Sequence, residues 1–451
     1  MHPGLFEYQR TAAYWLADNE HPNLLLGDSM GVGKTASSIG GADLIGARNI
    51  LVVCPGIARV AWQREMIRWQ TIDRSVSVMF GSKDTADTDV VITSYSLLPT
   101  KVAFKKLMAR RWDLIICDEI HLIKSREARR TKAMLGPKCT GTGGLLSKTT
   151  RFWGLSGTPL PNSLAEFWTM ARALFPGTTD GVERYQSWCD WFTVSRETPF
   201  GTVITGSKNI PDFLRRVKSF VLRRTMNQVL PGMPDLRVTD VVLTPDTLPP
   251  RSAELDEVER VIKGALAQSK GGNTEEAQAA LAACKEMHIA SHRKWVGAAK
   301  APAVAAQINA DFASGLDKIV LFAYHGTTID ILKENIKGSE VIDGRTPVKR
   351  RQDIIDRFQT SPDAKCVIVQ IDIASTALTL TASCQVAFAE TTYVPKDVWQ
   401  AICRCHRLGQ KRPVLARIFS LKGSSDEQIN ATLARKTRDI SAIEAGLTST
   451  K

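Results

Sequence analysis

The stretch NLLLGDSMGVGKTASSI, residues 23–39, decides the fold class of this 451-residue chain. It consists of a short apolar strand, a glycine-rich turn and the start of a helical pattern. Gly31 and Gly33 let the backbone curl so that its N–H groups point towards an anion, and the dipole of the following helix adds to the attraction. The stretch therefore predicts a phosphate-binding loop at the carboxyl end of a strand.

Three side chains of this loop carry the expected chemistry. Lys34 would neutralise the outer phosphates of ATP, and the Thr35 hydroxyl would bind Mg²⁺. Asp28 stands where the strict loop pattern has glycine. We expect all three residues to belong to the nucleotide site; an ordinary strand–turn–helix connection is the alternative.

An acidic motif, LIICDEIH at residues 114–121, predicts a strand that ends in two carboxylates. Ligands of open parallel sheets bind at the carboxyl ends of the strands. Asp118 is therefore expected to hold Mg²⁺, and Glu119 to polarise the attacking water. Taken alone, the motif is also compatible with an acidic strand end that has no function.

Short apolar runs alternate with amphipathic stretches in both halves of the chain, as in parallel sheets covered by helices. The predicted strands are residues 23–26, 50–54, 89–93, 113–117 and 152–156, then 318–322, 339–342, 365–369, 385–389 and 414–419. Residues 251–268 and 274–296 predict two helices between these sets. The predicted fold class is α/β, with two parallel-sheet lobes in tandem and a helical insertion between them.

The composition is that of a soluble globular protein with an anionic partner. Lys and Arg number 59 against 46 acidic residues, a net charge of +13, which favours nucleic acid over a membrane. No run of about 20 apolar residues is present, which excludes a transmembrane helix, and MHPGLFEYQR lacks the pattern of a signal peptide. Nine cysteines without a framework spacing indicate reduced thiols.

A basic block, VWQAICRCHRLGQKRP at residues 398–413, predicts a helix and its exit. Arg404 and Arg407 are three residues apart and would share one helical face. A guanidinium brought to the γ-phosphate from a second lobe stabilises the charge that develops in phosphoryl transfer. A solvated basic helix is the alternative.

The series of motifs resembles the Swi/Snf-type ATPases of helicase superfamily two, in order from Tyr8 to Pro413. The stretches that carry the resemblance are YQ at 8–9, GDSMGVGKT at 27–35, CPGIARVAWQREM at 54–66, TSYSLL at 93–98, DEIH at 118–121, GLSGTPLPNSLAEFW at 154–168, LRRT at 222–225, KIVLFAYH at 318–325, IDGRTPVKRRQDIIDRFQ at 342–359 and RCHRLGQ at 404–410. Residues 326–358, AFAE at 387–390 and WVGAAKAPAV at 295–304 look most similar to the annealing-helicase or fork-remodelling branch. By this resemblance we expect a compact form of the ATPase without accessory domains.

The resemblance implies an arrangement of domains and sites. RecA-like lobe 1 would span residues 1–240, a helical linker 241–300 and RecA-like lobe 2 residues 301–451. ATP and Mg²⁺ would bind between the phosphate loop with the acidic motif and the arginines at 404 and 407. By the same resemblance, Gln9 would read adenine, the residues that couple the two sites would be His121, Gly157, Thr158 and Gln410, and those that contact DNA phosphates would be Pro55, Gly56, Thr93, Ser94, Ser375 and Thr376.

The expected function is ATP-dependent translocation along double-stranded DNA, with remodelling of DNA structures or displacement of bound protein. Duplex or forked DNA would be bound without regard to sequence, with no membrane partner. The alternatives are a strand-separating helicase on DNA or RNA and, from another class, an ATP-gated DNA-binding recruitment module. The setting would be cytoplasmic in a bacterial, archaeal or viral system and nuclear in a eukaryote.

Two further patterns carry weaker expectations. Cys284, His288 and His292 recur every four residues and could share one helical face, so a metal site competes with simple packing. The Gly-, Ser- and Thr-rich residues 136–150 predict a mobile surface loop that could touch DNA. The tryptophans, Trp62 and Trp168 among them, are expected to pack between helices.

Overall fold

The structure is a computed structural model, and it describes residues 1–157, 164–198, 201–268, 289–374, 378–392 and 394–446. The chain divides into two compact units, Met1–Val229 and Leu230–Lys451, called here the first and second lobes. Within these described ranges, no helix is long and apolar enough to cross a membrane.

The first lobe is built on a seven-stranded parallel sheet. Its strands are Asn23–Leu26 (β1), Ile50–Cys54 (β2), Val76–Val78 (β3), Val90–Ser94 (β4), Leu114–Asp118 (β5), Phe152–Leu155 (β6) and Val221–Leu222 (β9), in the spatial order β3-β4-β2-β5-β6-β1-β9. A separate antiparallel pair joins Thr193–Thr198 (β7) to Gly201–Ser207 (β8).

Helices cover this sheet. They are Glu7–Asp18 (α1), Lys34–Leu44 (α2), Arg59–Trp69 (α3), Lys101–Met108 (α4), Arg129–Leu135 (α5), Leu164–Leu174 (α6), Tyr185–Phe192 (α7), Ile210–Val217 (α8) and Met226–Val229 (α9). Every residue of β2 and β4 is buried, as expected for strands covered on both faces. The tryptophans Trp62, Trp112, Trp153 and Trp188 are at most 2% exposed and fill the space between sheet and helices.

The second lobe contains a six-stranded parallel sheet. Its strands are Leu236–Leu243 (β10), Ile319–Ala323 (β11), Glu340–Ile342 (β12), Cys366–Gln370 (β13), Gln385–Phe388 (β14) and Val414–Leu421 (β15), in the order β10-β15-β14-β11-β13-β12. The helices are Ala253–Gln268 (α10), Ile289–Ala313 (α11), Gly326–Asn335 (α12), Val348–Thr360 (α13), Ile371–Ala374 (α14), Pro395–Ile402 (α15) and Ser425–Gly446 (α16).

Both sheets confirm the predicted α/β class with two parallel-sheet lobes in tandem, whereas α10 and α11, expected in an insertion between the lobes, belong to the second lobe. The boundary between the lobes differs from the expected residue 240, because β10 pairs along its whole length with β15 of the second sheet. The division therefore falls between Val229 and Leu230. Of the helix predicted over 274–296, residues up to 288 lie outside the described part of the chain, and α11 begins at Ile289.

The segment 136–150 is better packed than its composition predicts. Leu145 is fully buried and Cys139 is 2% exposed. A Cβ on Gly144 would lie 2.3 Å from the backbone nitrogen of Gly136. The two ends of the loop therefore approach so closely that only glycine fits at position 144. The Trp112 amide donates to the Lys148 carbonyl at 2.8 Å, which ties the loop to the entrance of β5. The segment is a folded loop rather than a loosely held one.

A buried polar cluster joins three helices of the second lobe. Glu259 of α10 accepts hydrogen bonds from the amide and hydroxyl of Ser425 at 2.6 and 2.9 Å. His292 of α11 lies with Nε2 2.5 Å from the same carboxylate, and Lys263 Nζ lies at 3.2 Å. Burial alone would raise the pKa of Glu259, but the hydrogen bonds from His292 and Ser425 outweigh it and lower the pKa to about 2.

This cluster bears on the metal hypothesis for His292. Cys284 and His288 lie outside the described residues, and His292 is occupied by the carboxylate of Glu259. Among the residues that the structure describes, no group of three or more His, Cys, Asp or Glu side chains could hold a metal ion. Nε2 of His292 therefore joins α11 to α10 through Glu259, and the metal site that would also need Cys284 and His288 stays a hypothesis.

We predict that Glu259→Gln destabilises the chain most above pH 5. The pKa of Glu259 is depressed from 4.5 to about 2 in the folded state, so its stabilisation is complete above the unfolded pKa and is lost as the pH falls towards 2. The loss at pH 7 should be about 1–3 kcal/mol. Urea unfolding of both proteins at pH 7 and pH 3 measures it.

The matched control is Glu334→Gln, on an exposed position of α12. It should leave the urea midpoint close to that of the wild type at both pH values. A difference between wild type and Glu259→Gln that stays constant from pH 7 to pH 3 would contradict this account.

Candidate functional site

Three strands deliver the predicted site residues to one edge of the first sheet. In the parallel register, Leu26 of β1 and Asp118 of β5 both lie opposite Leu155 of β6. The phosphate loop begins directly after Leu26, and the Ser156 amide donates to the Leu26 carbonyl at 3.1 Å. The phosphate loop, the acidic motif and the GLSG segment therefore emerge side by side.

The phosphate loop has the backbone conformation that its glycines predict. Gly31 and Gly33 have φ of 81° and 84°, values that side chains with a Cβ rarely adopt. A Cβ on Gly33 would lie 2.3 Å from Nε2 of Gln9, so a side chain at this position would displace the end of the Gln9 side chain. Helix α2 begins at Lys34, which places Thr35 in its first turn, where backbone N–H groups attract anions.

Lys34 lies over the loop that precedes it. Its Nζ donates to the carbonyl of Asp28 at 2.8 Å and to that of Ser29 at 3.0 Å. The ammonium is therefore held at the mouth of the loop, within reach of an anion bound by the backbone. The placement of Gly31, Gly33, Lys34 and Thr35 around one concave turn is the arrangement expected of a nucleotide site.

Asp28 is bound by Arg224 rather than exposed in the loop. The Arg224 side chain donates through Nε and Nη2, at 3.2 and 2.5 Å, and its backbone amide donates at 2.9 Å. The Asp28 side chain is only 2% exposed, so its charge needs this partner. The LRRT stretch at 222–225 carries the family resemblance, but its own sequence does not reveal this contact with the loop. The acid in place of glycine was the available signal, because an acidic residue beside a phosphate site requires a cation.

Helix α1 supports the loop from the other side. The Tyr8 hydroxyl donates to the Val32 carbonyl at 2.8 Å, and Gln9 Nε2 donates to the same oxygen at 3.2 Å. Arg224 Nη1 donates to the Tyr8 carbonyl at 2.9 Å. Burial raises the pKa of Tyr8 to about 12, so the phenol stays a donor at neutral pH. Gln9 thus lies against the loop, and its reading of adenine stays a prediction.

The acidic motif turns sharply at Glu119. Its φ of 50° and ψ of 53° place this non-glycine residue in the left-handed region, a strained conformation that is common at functional sites. The turn lets the Glu119 amide donate to Asp118 Oδ1 at 3.0 Å. His121 Nδ1 lies 3.3 Å from Glu119 Oε2, which joins a predicted coupling residue to the predicted water-polarising carboxylate.

Two aromatic side chains contact Asp118. The indole N–H of Trp62 donates to Oδ2 at 2.9 Å, and the Tyr95 hydroxyl donates to the main-chain carbonyl at 2.6 Å. Burial, followed by the charge of Glu119, raises the pKa of Asp118 above its usual range. The packing role expected for Trp62 is therefore incomplete, because Trp62 also has a polar contact with a site residue. Its place in the CPGIARVAWQREM motif did not reveal that contact.

The GLSG segment approaches the phosphate loop closely. A Cβ on Gly157 would lie 2.3 Å from Cγ of Met30, so only glycine fits at this contact. Thr158 lies outside the described residues. The coupling roles of His121, Gly157 and Thr158 stay predictions.

The arginine motif lies beyond the helix expected to carry it. Helix α15 ends at Ile402, so Arg404 and Arg407 follow in turns and do not share a helical face. The Arg404 carbonyl accepts the Leu380 amide at 2.9 Å, and Arg407 Nη1 donates to the Leu378 carbonyl at 3.1 Å. The helix ends early because the chain folds back onto the segment that precedes β14.

Gln410 has a structural role in this turn. It is 6% exposed, and its Nε2 donates to the carbonyls of Thr381, Ser383 and Cys405 at 2.9–3.2 Å. Its Oε1 accepts the amides of Lys411 and Arg412 at 3.0 Å. Coupling by Gln410 stays a prediction beside these contacts.

The described residues predicted to contact DNA cluster at neighbouring strand ends. Cys54 pairs with Ser94, which places Pro55 and Gly56 beside the end of β4, and a Cβ on Gly56 would lie 3.9 Å from Cβ of Ser94. Gly56 is half-buried, whereas Pro55, Thr93 and Ser94 are buried. Ser375 and Thr376 lie outside the described residues.

A histidine–glutamate pair, His325 and Glu390, lies at the carboxyl edge of the second sheet. His325, which follows β11, has Nδ1 2.7 Å from Oε1 of Glu390, and Oε2 of that residue accepts the amides of Tyr324 and His325 at 2.9 and 2.8 Å. Burial raises the pKa of Glu390, but these bonds outweigh it and leave the pKa below its usual value. In the sequence, His325 and Glu390 lie in stretches that carry the resemblance, and neither indicates this contact.

The fold and the first-lobe site define a phosphate-loop ATPase with two RecA-like lobes. A model described as the SNF2-related domain matches residues 8–247, and one described as the helicase conserved C-terminal domain matches residues 306–409. The chain belongs to the SNF2-related family, and the expected resemblance and enzyme class are confirmed.

Curated relatives are similar over nearly the whole chain. The SWI/SNF-related matrix-associated actin-dependent regulator of chromatin subfamily A-like protein 1 of Xenopus tropicalis is 28% identical over 98% of this chain and 45% of its own length. The DNA annealing helicase and endonuclease ZRANB3 of Mus musculus is 27% identical over 92% of this chain and 38% of its own length. The chain thus spans less than half the length of these two relatives.

One solved structure matches over nearly the whole chain. It is described as the Sulfolobus solfataricus SWI2/SNF2 ATPase core in complex with dsDNA. It is 20% identical, with a TM-score of 0.44, and the match covers 99% of this chain and 94% of the other.

We predict that Arg224→Met weakens both folding and nucleotide binding. Removal of the cation leaves the Asp28 carboxylate buried and unpaired, which should cost about 3 kcal/mol of stability. The released loop should bind ATP about tenfold more weakly. Urea unfolding and calorimetric titration with an ATP analogue measure the two effects.

Arg215→Ala is the matched control, because Arg215 lies 75% exposed on α8. It should change neither quantity measurably. Unaltered stability and affinity in Arg224→Met would show that the pair with Asp28 does not support the loop.

Proposed function

We propose that this chain is an ATP-dependent translocase on double-stranded DNA that remodels DNA structures or displaces bound protein. The observation that carries the proposal is the alignment of Lys34, Asp118 and Glu119 at one sheet edge, in a chain whose second half matches a helicase C-terminal domain. Nucleotide turnover in such enzymes can drive the motion of one domain relative to another.

Mg²⁺ is the cation that these residues fit. Asp118 supplies a carboxylate next to the phosphate loop, and each oxygen accepts one hydrogen bond, from Glu119 or from Trp62, which leaves further lone pairs for a cation or its waters. With the Thr35 hydroxyl, the protein would offer Mg²⁺ oxygen ligands only. In such sites, waters and the phosphates of the substrate complete the coordination of Mg²⁺. The bound cation would neutralise charge on the β- and γ-phosphates.

The other residues act on the phosphates and on water. Lys34 would exchange its carbonyl partners for phosphate oxygens, because an anion attracts the ammonium more strongly than a neutral carbonyl does. Glu119, placed by its left-handed turn and next to His121, would orient the attacking water. Arg404 and Arg407 are proposed to stabilise the transition-state charge from the second lobe.

The substrate follows from charge and from the relatives' names. A net charge of +13 favours a polyanion, and one relative is named a DNA annealing helicase. The backbone N–H of Gly56, which follows Pro55, would donate to a DNA phosphate, and such contacts carry no sequence information. We therefore propose sequence-independent binding of duplex or forked DNA, in the cytoplasm or in a nucleus according to the host.

The proposal is tested by steady-state ATP hydrolysis at fixed salt, with duplex DNA, forked DNA, single-stranded DNA, RNA or no nucleic acid. Salt is held constant because phosphate contacts are strongly salt-dependent. Duplex or forked DNA should stimulate turnover at least about tenfold. Stimulation by single strands or RNA alone would indicate a strand-separating helicase, and no hydrolysis at all would indicate an ATP-gated binding module.

We predict that Glu119→Gln lowers the stimulated rate by about 10²–10⁴-fold, because an amide cannot accept the proton of the attacking water. Binding of ATP should be retained. Glu127→Gln, at a side chain that is 74% exposed, is the matched control and should retain the full rate. A Glu119→Gln rate within a factor of three of wild type would remove Glu119 from the mechanism.

A further inference from the structure

Trp62 is buried like a core residue, but its indole N–H also contacts the carboxylate of Asp118, and packing alone does not require that contact. It lies on α3, is 2% exposed, and donates its indole N–H to Oδ2 of Asp118 at 2.9 Å. A buried indole N–H needs an acceptor, but a backbone carbonyl usually suffices. Trp112 shows the ordinary case, since its Nε1 donates to the Leu107 carbonyl at 3.2 Å.

The contact completes a set of bonds that fixes Asp118. The Glu119 amide holds Oδ1, Trp62 holds Oδ2, and the Tyr95 hydroxyl holds the main-chain carbonyl. With a donor on each oxygen, the plane of the carboxylate is set as well as its position. A hydrogen bond to an ionised acceptor is about twice as strong as one between neutral groups.

Helix α3 gives Trp62 a fixed base. Arg59, its first residue, donates through Nε to the Gly56 carbonyl at 2.7 Å and through Nη1 to the Met79 carbonyl at 2.7 Å. Trp62 follows three residues later on the same helix, and Arg59 itself is only 8% exposed. A side chain held in this way can orient its partner with little freedom of its own.

We propose that Trp62 is a positioning residue of the nucleotide site, whose indole N–H holds the Asp118 carboxylate in the orientation that nucleotide-bound Mg²⁺ requires. This inference rests on one part of the proposed function, the binding of ATP and Mg²⁺ at this site. It can be tested without DNA and without ATP hydrolysis. Groups that orient the ligands of a metal change its affinity by about 10–100-fold when they are removed.

The test is the gain in nucleotide affinity that Mg²⁺ provides. A non-hydrolysable ATP analogue is titrated by calorimetry with Mg²⁺ and with EDTA, and the ratio of the two dissociation constants is compared between variants. Trp62→Phe should reduce this ratio about tenfold and leave binding in EDTA unchanged. Trp112→Phe loses a similar buried indole at the other end of β5 and should keep the wild-type ratio.

A double-mutant cycle separates positioning from packing. Asp118→Asn should lower the Mg²⁺ ratio by itself, and the addition of Trp62→Phe should lower it no further, because the carboxylate through which Trp62 acts is gone. Additive losses, or an equal loss in Trp112→Phe, would overturn the proposal.

Replacement of Trp62 by benzothienylalanine keeps the shape of the side chain and removes only the N–H, so it decides the question if Trp62→Phe fails to fold. A reduced Mg²⁺ ratio in this variant supports the proposal, and the wild-type ratio overturns it. Failure of the proposed ATP site is distinguishable, because the wild-type protein would then show no Mg²⁺-dependent gain, whereas failure of DNA translocation would leave that gain unchanged. If Mg²⁺ increases nucleotide affinity equally in the wild type and in all Trp62 variants, the positioning role of Trp62 is refuted and the proposed ATP site is not.

Discussion

The parallel pairing of β1 with β6 on one side and β9 on the other is the constraint on which the first lobe depends. β1 carries the phosphate loop at its carboxyl end, β6 aligns that loop with the end of β5, and β9 brings Arg224 to Asp28. A slip of one residue in either pairing would turn the strand's side chains to the opposite face and separate the loop from its partners. The chemistry of the site thus depends on main-chain hydrogen bonds deep in the sheet.

Polar groups buried beside this edge are organised in pairs. Asp28 is neutralised by Arg224, and Asp118 is held by a main-chain amide and an indole. Each arrangement offsets the cost of removing a carboxylate from water. Without its partners, the carboxylate would move into solvent or bind a proton. The strained turn at Glu119 persists because the buried strand and the bonds around it determine its conformation. Rigidity of this kind favours electrostatic catalysis, in which charges are placed before the reaction begins.

The sequence predicted those elements whose signal is local. The strand at Asn23–Leu26 was predicted exactly as found and Ile50–Cys54 likewise, because their apolar runs end at turn residues, and the glycine spacing predicted the backbone of the phosphate loop. Short or long-range elements were missed: β9 has two residues, and β10 is recognisable as a strand of the second sheet only through its pairing with β15. Side-chain contacts between distant segments are harder to predict. Asp28 in place of glycine indicates that a cation is needed but not that Arg224 supplies it, and nothing in the motif of Trp62 indicates its contact with Asp118.

The central claim is that ATP hydrolysis moves this chain along duplex DNA without separating the strands. Displacement of a third strand from a triplex placed on a long duplex measures such movement directly. The account predicts displacement that requires ATP, is lost in Lys34→Ala, and occurs while the underlying duplex stays intact. Unwinding of the duplex itself, or ATP hydrolysis stimulated by duplex DNA without any loss of the third strand, would contradict it.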